Sequence, residues 1–193
     1  MTLADEFAAI DAARTATLRR IGRNLVNTQR IELLMKFLLG VTYSGPLAEI
    51  ESGFKRHVEK VSRKTLGTLI PDLAETMFPP GDASVTMREV KEVWLSSVVE
   101  IPVDGQCRDS WSQEWEAIRT ERNKLVHLML GNVDFNSIEQ CRKLDPDLDE
   151  QNVLFLKGIA FLGPIVTATK EAIAEMASGE PVFDPPLPEK RSG

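Results

Sequence analysis

The chain is poor in the residues on which disulfide, metal and sheet architectures depend. Among its 193 residues are two cysteines, two histidines and one tyrosine. Cys107 and Cys141 build no disulfide framework, and with so few histidines they form no zinc-like ligand set. A reducing compartment suits such a chain. Aromatics make up 6%, and alternating Val/Ile/Tyr segments are scarce, which argues against a sheet protein. No apolar run approaches the roughly 20 residues that span a bilayer. The opening Met1-Thr2-Leu3-Ala4-Asp5-Glu6 is acidic and lacks the apolar core of a secretory signal. A cytoplasmic protein without membrane association is therefore expected. The net charge of −6 argues against general coating of nucleic acid but leaves room for a local basic patch.

What the chain has is helical spacing. The residues from about Leu3 to Leu39 read as one long helix, stopped by Gly40. Arg19, Arg23 and Arg30 share one of its faces with Asn27 beside them. That strip is either a solvated surface or a set of phosphate contacts. A turn at Tyr43-Ser44-Gly45-Pro46 precedes a second helix to about Val61, which carries His57 in a basic run that reads as surface. A short helix from about Leu66 to Met77 is interrupted by Pro71. Phe78-Pro79-Pro80-Gly81-Asp82 breaks the chain.

The patterning next predicts a helix over about Ser84 to Val98, with Val90, Val93 and Trp94 inward. A long helix follows from about Asp109 to Leu130, closed by Gly131. Asn136 or Ser137 can cap a short helix to Lys143, and Asp145-Pro146-Asp147 reads as a turn. A last helix, about Asp149 to Ala177, should kink at Gly163-Pro164. From Ser178 the chain is Pro-rich and polar, the composition of a disordered tail. The expected architecture is all-α: an antiparallel bundle of about five to seven helices over residues 1–177, with a tail over 178–193.

One segment breaks the local rules. In the Asp109–Leu130 helix, Trp111, Trp115, Ile118, Leu125 and Met129 recur at three- and four-residue steps and share an apolar face. Arg122 falls within that stripe, although a guanidinium is costly to bury without a partner. Beside it runs a polar stripe, Glu116, Thr120, Asn123 and His127. Asn123 and His127 are four apart and can touch. Breaks of this kind concentrate at functional sites. The apolar stripe can serve as domain core or as a dimer seam, and the motif can equally be a structural arginine with a satisfied histidine.

The stretch Glu121-Arg122-Asn123-Lys124-Leu125-Val126-His127 resembles the Arg-(four to six residues)-His signature of HEPN domains, all-helical bundles named for higher eukaryotes and prokaryotes nucleotide-binding. Asn123 matches a frequent residue in that signature. The resemblance rests on about seven residues and the helix order. It implies a metal-independent endoribonuclease with no cofactor, of the type found among bacterial toxins and antiviral effectors. It also implies a homodimer whose two motifs meet in one composite site, or alternatively a non-catalytic module that binds a nucleotide or a partner protein, for example a nucleotidyltransferase-type antitoxin.

The residue types suit that chemistry. Cleavage by internal attack needs the 2′-hydroxyl deprotonated and the leaving 5′-oxygen protonated, work a histidine can do at neutral pH. An arginine can hold the phosphate as charge grows on it. The expected catalytic residues are Arg122, His127 and Asn123. Arg19, Arg23, Arg30, Arg119 and Lys124 are the expected RNA contacts. Glu116 and Glu121 are candidate acids to offset Arg122.

Overall fold

Helices α1 (Leu3–Val41) and α6 (Ile138–Ser178) carry the architecture. At about 1.5 Å per residue, each is roughly 60 Å long. Between them lie β1 (Tyr43–Pro46), a 3-10 turn (Leu47–Glu49), α2 (Ile50–Ser62), α3 (Leu66–Met77) and β2 (Trp94–Ser97). Then come α4 (Gly105–Asn123), a π-helical segment (Lys124–Met129) and the one-turn α5 (Leu130–Asn132). The computed structural model describes residues 2–78, 93–101 and 105–178. Ser178, expected to open the tail, is the last residue of α6. The remainder of the expected tail, from Gly179 onward, lies outside the described residues.

Helix α1 starts with a capping box. The Thr2 hydroxyl accepts from Asp5 N, and the Asp5 carboxylate accepts from Thr2 N at 2.7 Å. These bonds satisfy two backbone donors that the first turn leaves open. The helix buries Ile21, Ile31, Met35 and Leu38 against the rest of the bundle.

Among the described residues the fold is all-α apart from one short antiparallel pair of strands. Its main helix pair, however, runs parallel rather than antiparallel. Thr17 meets Cys141 and Asp145, Asn24 meets Leu148 and Gln151, and Asn27 meets Asn152. The separation in sequence stays at 124–128 residues along both helices, which only a common direction allows. The long excursion from Val41 to Ile138 makes this possible, because it returns the chain to the starting end. Helix α4 runs against both. Trp115 meets Phe161 while Glu121 meets Gln151. Its apolar stripe fills the space beneath α1 and α6, with Trp111, Trp115, Ile118, Leu125 and Met129 all buried. That stripe is protomer core and not a dimer seam. Helix α3 closes the side, with Phe78 against Trp111 at 4.8 Å between ring centroids.

Three expectations are corrected. Tyr43–Pro46 is a strand, not a turn, paired antiparallel with Trp94–Ser97. The segment expected to end a helix at Val98 is therefore extended from Trp94. Val93 and Trp94 are 70% and 55% exposed, not inward. Residues 79–92, including Val90, lie outside the described residues. Trp-Leu-Ser-Ser-Val-Val is a β-favouring run, and β1 offers it a partner strand.

The expected turn at Asp145-Pro146-Asp147 is absent, and α6 continues through both Pro146 and Pro164. A helical proline forfeits one hydrogen bond and crowds the preceding turn, at a cost of about 3 kcal/mol. Contacts to α1 flank Pro146 and offset that cost. Thr17 donates to Cys141 O and Asp145 Oδ1, and Arg20 reaches Asp145 and Asp149, each at 3.4 Å. Helix α3 likewise runs through Pro71 without a break.

Helix α6 also qualifies the reading of apolar runs. It holds an 18-residue window of mean hydropathy 1.5, long and apolar enough to cross a membrane, of which 22% is buried. The core helix of a soluble bundle passes the same test, so composition alone does not decide its surroundings.

Candidate functional site at the end of helix α4

The motif occupies the place where α4 stops being a regular helix. Lys124–Met129 is π-helical, closed by bonds from each residue to the fifth before it. In a regular α-helix each residue turns about 100°, so residues five apart point roughly 140° away from each other. The wider turn rotates less per residue. It therefore swings His127 back towards the side of the helix that carries Arg122.

Gln151 of α6 brackets this turn. It is 2% exposed. Its Nε2 donates to Glu121 Oε2 at 3.0 Å and lies 3.4 Å from Glu121 O and 3.7 Å from Met129 Sδ. Contacts are thus made just before the π turn and at its last residue. Gln151 Oε1 accepts from Asn24 Nδ2 at 3.3 Å, and Asn24 Nδ2 also donates to Leu148 O at 2.7 Å. A buried polar chain runs from the centre of α1 through α6 to the start of the motif. The sequence reading missed Gln151. Its signal was present, since it sits between Leu148 and Phe155 on the buried stripe of α6.

The two stripes of α4 separate as expected. Glu116, Thr120, Asn123 and His127 are all exposed. Arg122 is half-buried, and its Nη1 donates to Asn123 Oδ1 at 3.2 Å. Arg122 and Val126 form one wall of a groove of about 390 Å³. The opposite wall is α1, with Leu25, Thr28, Gln29, Glu32 and Leu33, and the end is closed by Thr65 and Leu66. Glu32 is engaged by Lys36 at 2.8 Å. The groove thus offers a guanidinium with spare donors, a hydroxyl, an amide and an apolar floor.

The other expected residues divide by partner. Arg119 pairs with Glu116, and that hydrogen bond raises its pKa. Lys124 pairs with Glu121, with the same effect. Neither carboxylate is ion-paired to Arg122, which was the role expected of one of them. Arg23 donates to Asp149 at 2.8 Å and to Leu148 O, so its charge is used within the fold. Arg19 and Arg30 are exposed and have no ion-pair partner among the described residues. His57 Nε2 donates to Leu39 O at 2.8 Å, and the ring rests on Tyr43. It is a structural histidine. Of the expected catalytic residues, Arg122 and Asn123 are in contact at the end of α4, and His127 follows on the π turn. Arg119 faces a separate groove with Trp111 and Arg108.

Among the described residues, no three His, Cys, Asp or Glu side chains are placed to hold a metal ion. Cys141 is a free, buried thiol. No family model, curated protein or solved structure matches the chain.

Proposed function

We propose that the chain is a HEPN-type, metal-independent endoribonuclease that works in the cytoplasm as a toxin or antiviral effector. The observation that carries this reading is the placement of His127, exposed on a π turn, and of Asn123, exposed just before that turn on a half-buried Arg122 that opens on a groove. π turns inside α-helices recur at functional sites. Arg122 holds a non-bridging phosphate oxygen. One imidazole takes the proton from the 2′-hydroxyl, and the 2′-oxygen attacks phosphorus. The bond to the 5′-oxygen breaks, and that oxygen receives a proton from the imidazole of a second copy. The products are a 2′,3′-cyclic phosphate and a 5′-hydroxyl. Asn123 orients Arg122 through their hydrogen bond. Two copies pair so that their motifs form one composite site, under the control of an antitoxin protein.

A second reading has its own support. His127 is not among the residues that line the Arg122 groove. A module that binds a nucleotide phosphate or a partner protein at Arg122, without catalysis, needs no more than that groove. One experiment separates the two. Purified protein is incubated with mixed RNA, and product ends are analysed beside His127→Ala and Arg122→Ala. Cyclic-phosphate ends that vanish in both variants support the nuclease. Intact RNA with the wild type, but nucleotide binding lost only in Arg122→Ala, supports the binding module.

A further inference from the structure

The groove between α3 and α4 holds more hydrogen-bond donors than the fold uses. It measures about 610 Å³, with Ile70, Pro71 and Ala74 on its α3 wall and Arg108, Trp111 and Arg119 on its α4 wall. Trp111 Nε1 and Arg119 Nε are buried, and neither has a hydrogen-bond partner among the described residues. Trp111 is 7% exposed, so its indole N–H has lost water without gaining an acceptor, a state that destabilises until an acceptor arrives. Arg108 has no ion-pair partner among the described residues, whereas Glu116 is engaged by Arg119. Arg108 and Arg119 are eleven residues apart, close to three full turns. They therefore share one side of α4, roughly 16 Å from each other along its axis.

The sequence after Ser178 supplies acceptors of complementary character. Asp184-Pro185-Pro186-Leu187-Pro188-Glu189 sets three prolines between two carboxylates. Each proline has a carbonyl to accept with and no N–H to donate. Such a run favours the polyproline helix, whose rise of about 3.1 Å per residue puts Asp184 and Glu189 roughly 16 Å apart. In sign and in spacing the two acids match Arg108 and Arg119. The groove's remaining acid does not oppose them. Phe78 packs on Trp111, and a Cβ at Gly67 would stand 3.9 Å from Arg119 Cδ, so α3 and α4 run in opposite directions. Glu75 then stands at mid-groove, level with the uncharged Pro186 and Leu187.

Reach and direction agree as well. Trp115 meets Phe161 and α4 runs against α6, so Arg108 is level with about residue 168 of α6. Ser178 lies roughly 15 Å beyond that level, on the side towards which long α4 side chains such as Arg108 lean. The six residues from Ser178 to Asp184 extend to roughly 20 Å. The chain therefore arrives at the Arg108 end first, the order in which Asp184 and Glu189 follow.

We propose that the α3–α4 groove is the docking site for residues 184–189 of the same molecule, bound as a polyproline segment with Asp184 at Arg108 and Glu189 at Arg119. Pro185 and Pro186 lie over Trp111, the way proline-rich ligands use aromatic-lined grooves. A carbonyl of that run is the acceptor that Trp111 Nε1 lacks, and a small rotation of the indole opens the N–H to it. The contact does not depend on the nuclease reading.

Disulfide trapping in the full chain tests the proposal. In a Cys107→Ser background, Ser112→Cys with Leu187→Cys is expected to close within one molecule on mild oxidation, at a rate independent of protein concentration. Asp184→Arg should slow that closure about tenfold or more, and adding Arg108→Asp should restore it. Circular dichroism verifies that the helices are intact in each variant. A second readout needs no cysteine. In a nitrogen-15 spectrum, the indole N–H signal of Trp111, identified as the one missing in Trp111→Phe, should move when Pro185 and Pro186 are both replaced by Ser. Trapping only between chains overturns the proposal, as does a rate that Asp184→Arg leaves unchanged. So does a Trp111 signal that ignores the loss of both prolines.

Discussion

The centre of α1 and the end of α4 carry similar polar groups in opposite circumstances. Asn24 is fully buried, and its amide is met by Leu148 O, Gln151 and Arg23. Asn123 and His127 are exposed, and Asn123 has a contact only from Arg122 among the described side chains. A buried polar group left unmatched costs about 1–3 kcal/mol, so the interior set is satisfied and fixes the register of α1 on α6. The surface set keeps donors and acceptors free for a ligand. Gln151 belongs to the first set and holds the second in place.

The comparison breaks most visibly if the surface set is removed. His127→Ala should lower RNA cleavage by about a hundredfold or more, the range for loss of a general acid or base. The melting temperature should stay within the scatter of ordinary surface substitutions. Product analysis by gel with parallel thermal melts checks both. An equal loss of stability would place His127 with Asn24 as a structural group.

Substitution in the interior set should do the reverse. Asn24→Leu leaves Gln151 Oε1 without its donor and Leu148 O with only the longer bond from Arg23, and it should cost about 1–3 kcal/mol, read by denaturant unfolding. Gln151→Leu should cost a similar amount. It should also reduce cleavage, because the brace across the π turn is lost. A Gln151→Leu protein that is destabilised but cleaves normally would show that the turn holds its shape unaided.

Packing beside this network is equally tight. A Cβ at Gly158 would stand 2.9 Å from Ile118 Cδ1 and 3.3 Å from both Ile31 Cδ1 and Trp115 Cη2. Gly158→Leu should therefore destabilise by about 1–3 kcal/mol. Gly158→Ala should be far milder, since the contact is with side-chain ends and alanine is the better helix former.

Much of this was legible in the chain. The stripe from Trp111 to Met129 and the exposed row from Glu116 to His127 follow from three- and four-residue spacing, which survives tertiary packing. Helix α1 was readable to within two residues of its end for the same reason. What failed were the places where distant contacts outweigh local preference. Pro146 reads as a break until Thr17 and Arg20 of α1 are placed on either side of it. Trp94 reads as helical until β1 is there to pair with it. The direction of α6 relative to α1 is not written in any local pattern, because it depends on how the intervening chain returns. The partners of Glu116 and Glu121 were three residues along the same helix, a nearer choice than Arg122.

The smallest expected effect concerns the link between the exposed and buried sets. Hydrogen bonding from Arg23 holds the Asp149 carboxyl below the usual carboxylate range against the opposing effect of desolvation, with help from the charges of Arg20 and Arg23. A depressed native value means that the unfolded chain takes up its proton first as pH falls. The stabilisation from this group is therefore present above the ordinary value of about 4. It fades as pH drops through the lower native value. Asp149→Asn should thus melt slightly below the wild type at pH 7, and the two curves should converge as the pH falls below that ordinary value. The side chain is 54% exposed, so solvent screening keeps the difference small. Coincident curves at pH 7 would mean that Arg23 holds α1 to α6 mainly through its bond to Leu148 O, with Asp149 a bystander.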